Sequence, residues 1–273
     1  MKVKECCRQC LRGLIERTIT LSGGGERFLG SSLEFLDDLF MENTTPPAIA
    51  NLLLSHIRKG SGVHDPFATA KYLEFREAMD AIEKIRDRFT CSLEGLFHLS
   101  ALGNSKDHFV HISQAGDSFF FSGDMDKIRE EIYTKGKEVL FLGDNTGDFV
   151  YDIPLIRHLE RKGKRVYYAV KEHPVQNDLS MEDVHRFNLT GTHRDIICTP
   201  GAKVGLARED ISGEIERLWK SDAPVIAKGM GNYETMSEFD RERPVTYIMK
   251  IKCPAVSEEI GLDVGSYTVH SRW

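Results

Sequence analysis

The chain has 273 residues, 36 Lys plus Arg against 42 Asp plus Glu, and a formal net charge of −6. With 41% hydrophobic and 29% charged residues it reads as globular, long enough for a sizeable core, and of a length that suggests two domains. The acidic balance argues against non-specific nucleic-acid binding, which needs clustered Lys and Arg to displace counterions. The densest basic run, Arg161-Lys162-Gly163-Lys164-Arg165, reads as a solvated helix end with Gly163 as C-cap. No run approaches the roughly 18 apolar residues of a membrane helix. The start, Met-Lys-Val-Lys-Glu-Cys-Cys, lacks the apolar core of a signal peptide, so a soluble cytoplasmic protein without membrane or nucleic-acid partners is expected.

The first half reads helical. Leu11, Leu14, Ile15, Thr18 and Ile19 follow amphipathic spacing until Gly23-Gly24-Gly25 stops the pattern. A second helix is predicted over 26–41. Thr44-Thr45-Pro46-Pro47 then opens a third over 48–59, ended by Gly60. A long helix follows Asp65-Pro66 to about Arg88, and a shorter one spans 92–102. Phe119-Phe120-Phe121 is expected to be buried between the halves, and residues 103–137 offer no flexible linker.

From Glu138 short β-branched and aromatic runs alternate with helical stretches. Strands are predicted at 139–142, 165–170, 195–198, 224–227 and 245–249, and helices near 149–162, 181–188, 208–219 and 234–241. That alternation indicates a parallel sheet with crossover helices. Tyr267-Thr268-Val269-His270 is expected as an edge strand. The fold class is therefore α/β: an N-terminal helical domain (1–136) and a doubly wound α/β domain (137–273) that share a core.

Ligands of an open parallel sheet bind beyond the carboxyl ends of its strands. Those positions hold Gly143-Asp144-Asn145-Thr146-Gly147-Asp148, Lys171-Glu172-His173-Pro174 with Asn177-Asp178, Lys228-Gly229-Met230-Gly231-Asn232, and Lys250 with Lys252. Asp144, Asn145 and Asp178 suit a hard divalent cation. Lys228 and Lys250 suit a phosphate, and the glycines admit backbone N–H groups to the same oxygens. Together they describe metal-assisted phosphoryl chemistry. Gly-Asp-Asn is also an ordinary turn, and Asn177-Asp178 before Ser180 could equally be a helix start. No strand is followed by Gly-x-Gly-x-x-Gly, no phosphate-binding Gly-x-x-x-x-Gly-Lys-Ser/Thr loop occurs, and the ten histidines form no i, i+4 pair.

These motifs resemble the metal-dependent damage-control phosphatases, the family long catalogued as domain of unknown function eighty-nine, and most closely its stand-alone branch with an N-terminal Cys-x-x-Cys. The shared marks run in order from Cys7-Arg8-Gln9-Cys10 through Asp65-Pro66-Phe67, Gly103-Asn104 with Asp107, the Gly143–Asp148 motif, Pro174 with Asn177-Asp178, and Lys228–Glu234, to Lys250-Ile251-Lys252-Cys253. The resemblance implies a helical domain packed on a Rossmann-like α/β/α domain, with one divalent metal (Mn, Mg, Ni or Co) at their cleft. It implies metal ligation by Asp144, Asn145 and Asp178. Phosphate and substrate contacts would come from Lys228, Gly229, Met230, Gly231, Asn232 and Lys250, with Asn104 and Asp107 reaching in from the helical part. The expected substrate is a small phosphorylated metabolite, a sugar phosphate or a related damaged compound. The family usually carries Glu where this chain has Asp148, which keeps the charge with a shorter reach, so that its contact with substrate would be water-bridged or to a hydroxyl.

In the same branch Cys7, Cys10 and Cys253 could converge on a second, softer metal or a redox switch; equally they are buried thiols that pack the first helix on the sheet. Two other functions use the same rim: non-catalytic capture of a phosphometabolite or metal, and adenosylmethionine-dependent methyl transfer. The nucleophile, water or a carboxylate such as Asp144, and the oligomeric state are left open by the sequence.

Overall fold

A computed structural model describes residues 1–41, 43–104 and 119–272. Local rules set many of the helix ends. Thr45 accepts a hydrogen bond from the Ala48 N–H (3.3 Å), Pro46 and Pro47 occupy the first turn, and α3 (Pro46–Ser61) results. It runs past the expected stop at Gly60 and ends at Gly62, whose φ is 69°. Gly60 serves another purpose: a Cβ there would lie 2.4 Å from the Phe28 ring, so its absence lets α2 (Glu26–Leu39) pack close. The remaining helices of the first half are α1 (Cys7–Leu21), α4 (Ala68–Ile85) with a short 3-10 turn at Arg86–Arg88, and α5 (Leu93–Gly103).

Seven strands form one sheet: β1 (Phe119–Ser122), β2 (Glu138–Leu142), β3 (Arg165–Lys171), β4 (Ile196–Thr199), β5 (Val225–Lys228), β6 (Val245–Lys250) and β7 (Tyr267–Arg272). The order is β1-β7-β6-β5-β2-β3-β4, parallel throughout except for the β6–β7 pair. Between strands lie α6 (Met125–Thr134), α7 (Asp148–Arg161), α8 (Met181–Arg186), α9 (Gly213–Lys220), α10 (Gly229–Met236) and α11 (Pro254–Ile260).

Alternate strand residues divide the core, as the pleat requires. Leu140, Leu142, Ala169, Ala227 and Met249 pack under Leu11, Ile15, Ile49 and Leu53 of α1 and α3. Val139, Phe141, Val166, Tyr168 and Ile248 pack on the other face with Phe97, Leu155 and Ile156 of α5 and α7. The N-terminal helices therefore continue the layers of the sheet.

The sequence reading needs correction in three places. The Phe119–Phe121 run is the edge strand β1, and although it precedes residue 137 it belongs to the sheet; Phe119 and Phe121 turn inward while Phe120 is 41% exposed. Tyr267–Arg272 is not an edge, because β1 pairs with it from outside, Phe119 opposite Tyr267. The last predicted helix begins at Gly229 rather than 234, since a φ of 77° turns the chain directly out of β5. No helix among the described residues is long and apolar enough to cross a membrane.

Candidate metal and phosphate centre

Strand order places a switch point between β2 and β5: from β2 the chain moves outward to β3 and β4, then returns to β5 on the other side. The crevice beyond those two carboxyl ends is where an open α/β sheet binds ligands. The loop after β2 carries Asp144 and Asn145, and the loop after β5 carries Gly229. They meet so closely that a Cβ on Gly229 would lie 1.9 Å from Asp144 Oδ2. Only glycine, already at φ 77°, fits there.

The loop after β3 is tied to the same place. Asn145 and Asp178 form an isolated antiparallel bridge. The Leu179 N–H donates to the Asp144 carbonyl, and Thr146 donates both N–H and Oγ1 to the Asn177 carbonyl, each at 2.9 Å. Asp144, Asn145 and Asp178 thus stand together on a cleft of about 130 Å³, with Gln176, Lys252 and Glu234 also on its wall. The helix-start reading of Asn177–Asp183 also holds, one step along: Ser180 and Asp183 form a capping box on α8.

Burial and like charge dominate the electrostatics. Asp144 is pushed well above the usual carboxylate range by burial and by the charges of Asp178 and Asp148; Lys252 and the Asn104 amide oppose this. Burial also raises Asp178, against Lys171 and Lys71. Asp178 Oδ2 is buried with no hydrogen bond and lies 3.7 Å from Lys171 Nζ. Burial lifts Asp148 to about 6 despite Lys228. Two carboxylates, one of them with an oxygen free of hydrogen bonds, and an amide oxygen are donors of the kind a hard divalent cation takes.

The other expected site residues divide. Asn104 donates from Nδ2 to Asp144 Oδ2 (2.7 Å) and Asp148 Oδ2 (2.9 Å), and its Oδ1 accepts from the Lys250 N–H (3.2 Å). Met230 and Gly231 line the cleft. Asn232 instead ties two loops together, donating to the Gly143 and Lys228 carbonyls (3.2 and 2.8 Å). Lys250 Nζ donates to the Tyr267 hydroxyl (3.0 Å) and lies over its ring. Lys228 departs furthest from expectation. It is wholly buried and donates to the Ser100 carbonyl (2.6 Å), Ser100 Oγ (3.1 Å) and Asp152 Oδ1 (2.9 Å), with Asp148 Oδ2 at 3.5 Å. Burial lowers its pKa, but Asp152 and Asp148 more than offset that. Its ammonium is occupied beneath the rim, and Lys252 is the lysine on the cleft wall. Asp107 lies outside the described residues.

Cys7, Cys10 and Cys253 line the same cleft, together with Cys6. None is in a disulfide, and burial lifts the Cys7 thiol to about 11 and that of Cys253 to about 12, so both are protonated at neutral pH. Among the described residues no three His, Cys, Asp or Glu side chains are gathered to hold a metal ion. The sequence reading missed Glu74, on α4, which contacts both site loops, and gave Lys252 no role although it stands in a quoted motif.

A damage-control phosphatase ARMT1-like domain model matches residues 3–268. A damage-control phosphatase of Pyrococcus horikoshii is 27% identical over 97% of this chain and 96% of its own length, and one of Archaeoglobus fulgidus is 21% identical over 97% of each. An uncharacterised protein of Methanocaldococcus jannaschii is 25% identical over the whole chain and 96% of its own length. The crystal structure of a DUF89 family protein from Pyrococcus horikoshii superposes with a TM-score of 0.83 at 26% identity, covering 99% of both chains. With the family model spanning nearly the whole chain and the fold matched end to end, this protein belongs to the ARMT1-like damage-control phosphatase family.

Proposed function

We propose that the chain is a metal-dependent phosphomonoesterase acting on a small phosphorylated metabolite, a sugar phosphate or a related damaged compound. The observation that carries this reading is the convergence of Asp144, Asn145 and Asp178 on one cleft, with a buried carboxylate oxygen left without a hydrogen bond. Those three residues would hold Mn, Mg, Ni or Co, which when bound would polarise a phosphoryl oxygen and lower the pKa of a water molecule.

The chain's own residues do the rest. Lys252 offers positive charge to the phosphate from the cleft wall, and Lys250 does so from beside Tyr267. Asn104 orients Asp144 and Asp148 with one amide. Lys228 neutralises Asp152 and Asp148 from below, which joins the end of β5 to α7. In the net reaction the ester P–O bond breaks, a new P–O bond forms from water oxygen, and the leaving alkoxide takes a proton.

The test is phosphate release from a panel of sugar phosphates and p-nitrophenyl phosphate. Chelator-treated protein receives Mn, Mg, Co or Ni singly, and Asp178→Asn serves as control. Release that needs a metal and is lost in Asp178→Asn is expected. Undiminished release in that variant would overturn the assignment, and saturable phosphometabolite binding without turnover would point to a capture protein.

A further inference from the structure

Glu74 of α4 is 5% exposed, and its two carboxylate oxygens serve different loops. Oε1 accepts the Gly147 N–H at 3.0 Å, across 73 residues of sequence, and Oε2 accepts Asn177 Nδ2 at 3.0 Å, across 103. Gly147 follows Asn145 by two positions, and Asn177 immediately precedes Asp178. The fit is close, since a Cβ on Gly147 would lie 2.9 Å from Glu74 Cγ. Three residues before Glu74, the wholly buried Lys71 bonds Asp183 (2.8 Å) and Asp65 (3.2 Å), which ties the same helix to the residues just after Asp178.

Burying a carboxylate costs several kcal/mol before its partners compensate. Here both hydrogen bonds come from neutral donors, a backbone N–H and a side-chain amide, on either side of the ligand-bearing loops. Packing alone would be met more cheaply by a neutral side chain. A carboxylate kept next to another carboxylate, bonded to both ligand-bearing loops, is suited to a site completed by a cation.

We infer that Glu74 is a positioning residue of the metal centre: it clamps the Gly143–Asp148 and Asn177–Asp178 loops at the separation that lets Asp144, Asn145 and Asp178 take one divalent cation. This rests on the metal reading above. Removing such a group should weaken metal binding roughly 10–100-fold, the usual effect of losing a partner that orients ligands.

Calorimetric titration of Mn into chelator-stripped, full-length protein tests it, with thermal unfolding of the metal-free chain alongside. Glu74→Gln keeps the shape but turns an NH2 toward a donor. It is expected to fold, with Mn affinity reduced by that factor. Glu74→Ala and Asn177→Ala are expected to lose less in combination than the sum of their separate losses, because either one opens the same clamp. Mn affinity within about twofold of wild type in both Glu74 variants, with only the melting temperature lowered, would make Glu74 a packing residue and overturn the inference. If Glu74→Ala fails to fold, Glu74→Gln decides alone. Wild-type protein that binds no divalent cation would overturn the metal reading first and this inference with it.

Discussion

Replacing Gly229 with Ala should disable the centre through backbone geometry alone. Two effects combine. A side chain at φ 77° costs roughly 1–2 kcal/mol, which in a chain of this size lowers the melting temperature by roughly 2–8 °C. The new Cβ would also start 1.9 Å from Asp144 Oδ2, and ordinary contact begins at 3.4 Å, so the carboxylate must retreat by more than an ångström. A displacement of that size at a reacting centre costs on the order of 10²-fold in turnover. Gly261 separates the two effects: its φ is 78°, yet a Cβ there meets nothing within 4 Å. Gly261→Ala should therefore lose a similar amount of thermal stability and keep its kcat. The assay is phosphate release at saturating Mn, with melting curves for both variants. Full turnover in Gly229→Ala, or equal loss of turnover in both, would refute the reasoning.

Lys228→Met should destabilise the chain by about 3–5 kcal/mol, because Asp152 and Asp148 would be left buried without their ammonium. Adding Asp152→Asn should recover part of that in chemical denaturation, and a Lys228→Met chain that is stable but binds phosphate poorly would contradict the placement. Stability of the metal-free chain should also carry a signature of Asp148. Its folded carboxyl titrates at about 6 against an ordinary 3.8, so the folded state binds the proton more tightly. That contribution is complete below the unfolded value, is lost as pH rises through about 6, and is flat above it. Between pH 5 and 7.5 the melting temperature of wild type minus that of Asp148→Asn should therefore fall, and a rising difference would reverse the sign.

Much of the centre could be read from strand ends. Once β2, β3 and β5 are recognised by their apolar runs, the residues beyond each are fixed by covalent connection, and Asp144, Asn145, Asp178 and Gly229 follow. Lys228 shows the limit of that method. Its place at a strand end is legible, but the direction of its ammonium depends on Ser100 and Asp152, which come from α5 and α7. Glu74 is harder still, since in sequence it is one of several charged residues on a long helix, and its two partners lie 73 and 103 residues away. The exchange of edge and interior between β1 and β7 has a similar cause. Which strand pairs outside another is a long-range choice that the pattern of either strand leaves open. Asp148 shows a milder case: its one-residue departure from the family pattern is visible in sequence, whereas its bonding to Asn104 is not.

Buried carboxylates in this protein fall into two groups by what neutralises them. Asp183 and Asp152 each bond a wholly buried ammonium, Lys71 at 2.8 Å and Lys228 at 2.9 Å. Asp144 receives the neutral amide of Asn104, while Asp178 and Asp148 press on it, and Asp178 Oδ2 stands without a hydrogen bond. Lysines stand further off at the cleft, Lys171 Nζ 3.7 Å from Asp178 Oδ2 and Lys228 Nζ 3.5 Å from Asp148 Oδ2, so charge is settled by bonded ammoniums away from the cleft and less closely compensated at it. Whatever binds there must then stabilise the folded chain, because the unfolded chain offers no such cluster. At a cation concentration of 100 times Kd the gain is about 2.7 kcal/mol, or roughly 5–10 °C in melting temperature. The increment should vanish in Asp178→Asn, which removes the charge of a proposed ligand, and persist in Lys252→Ala, whose proposed partner is the phosphate and not the cation. Equal cation stabilisation in wild type and Asp178→Asn would place the bound ion elsewhere and refute the assignment of charge made here.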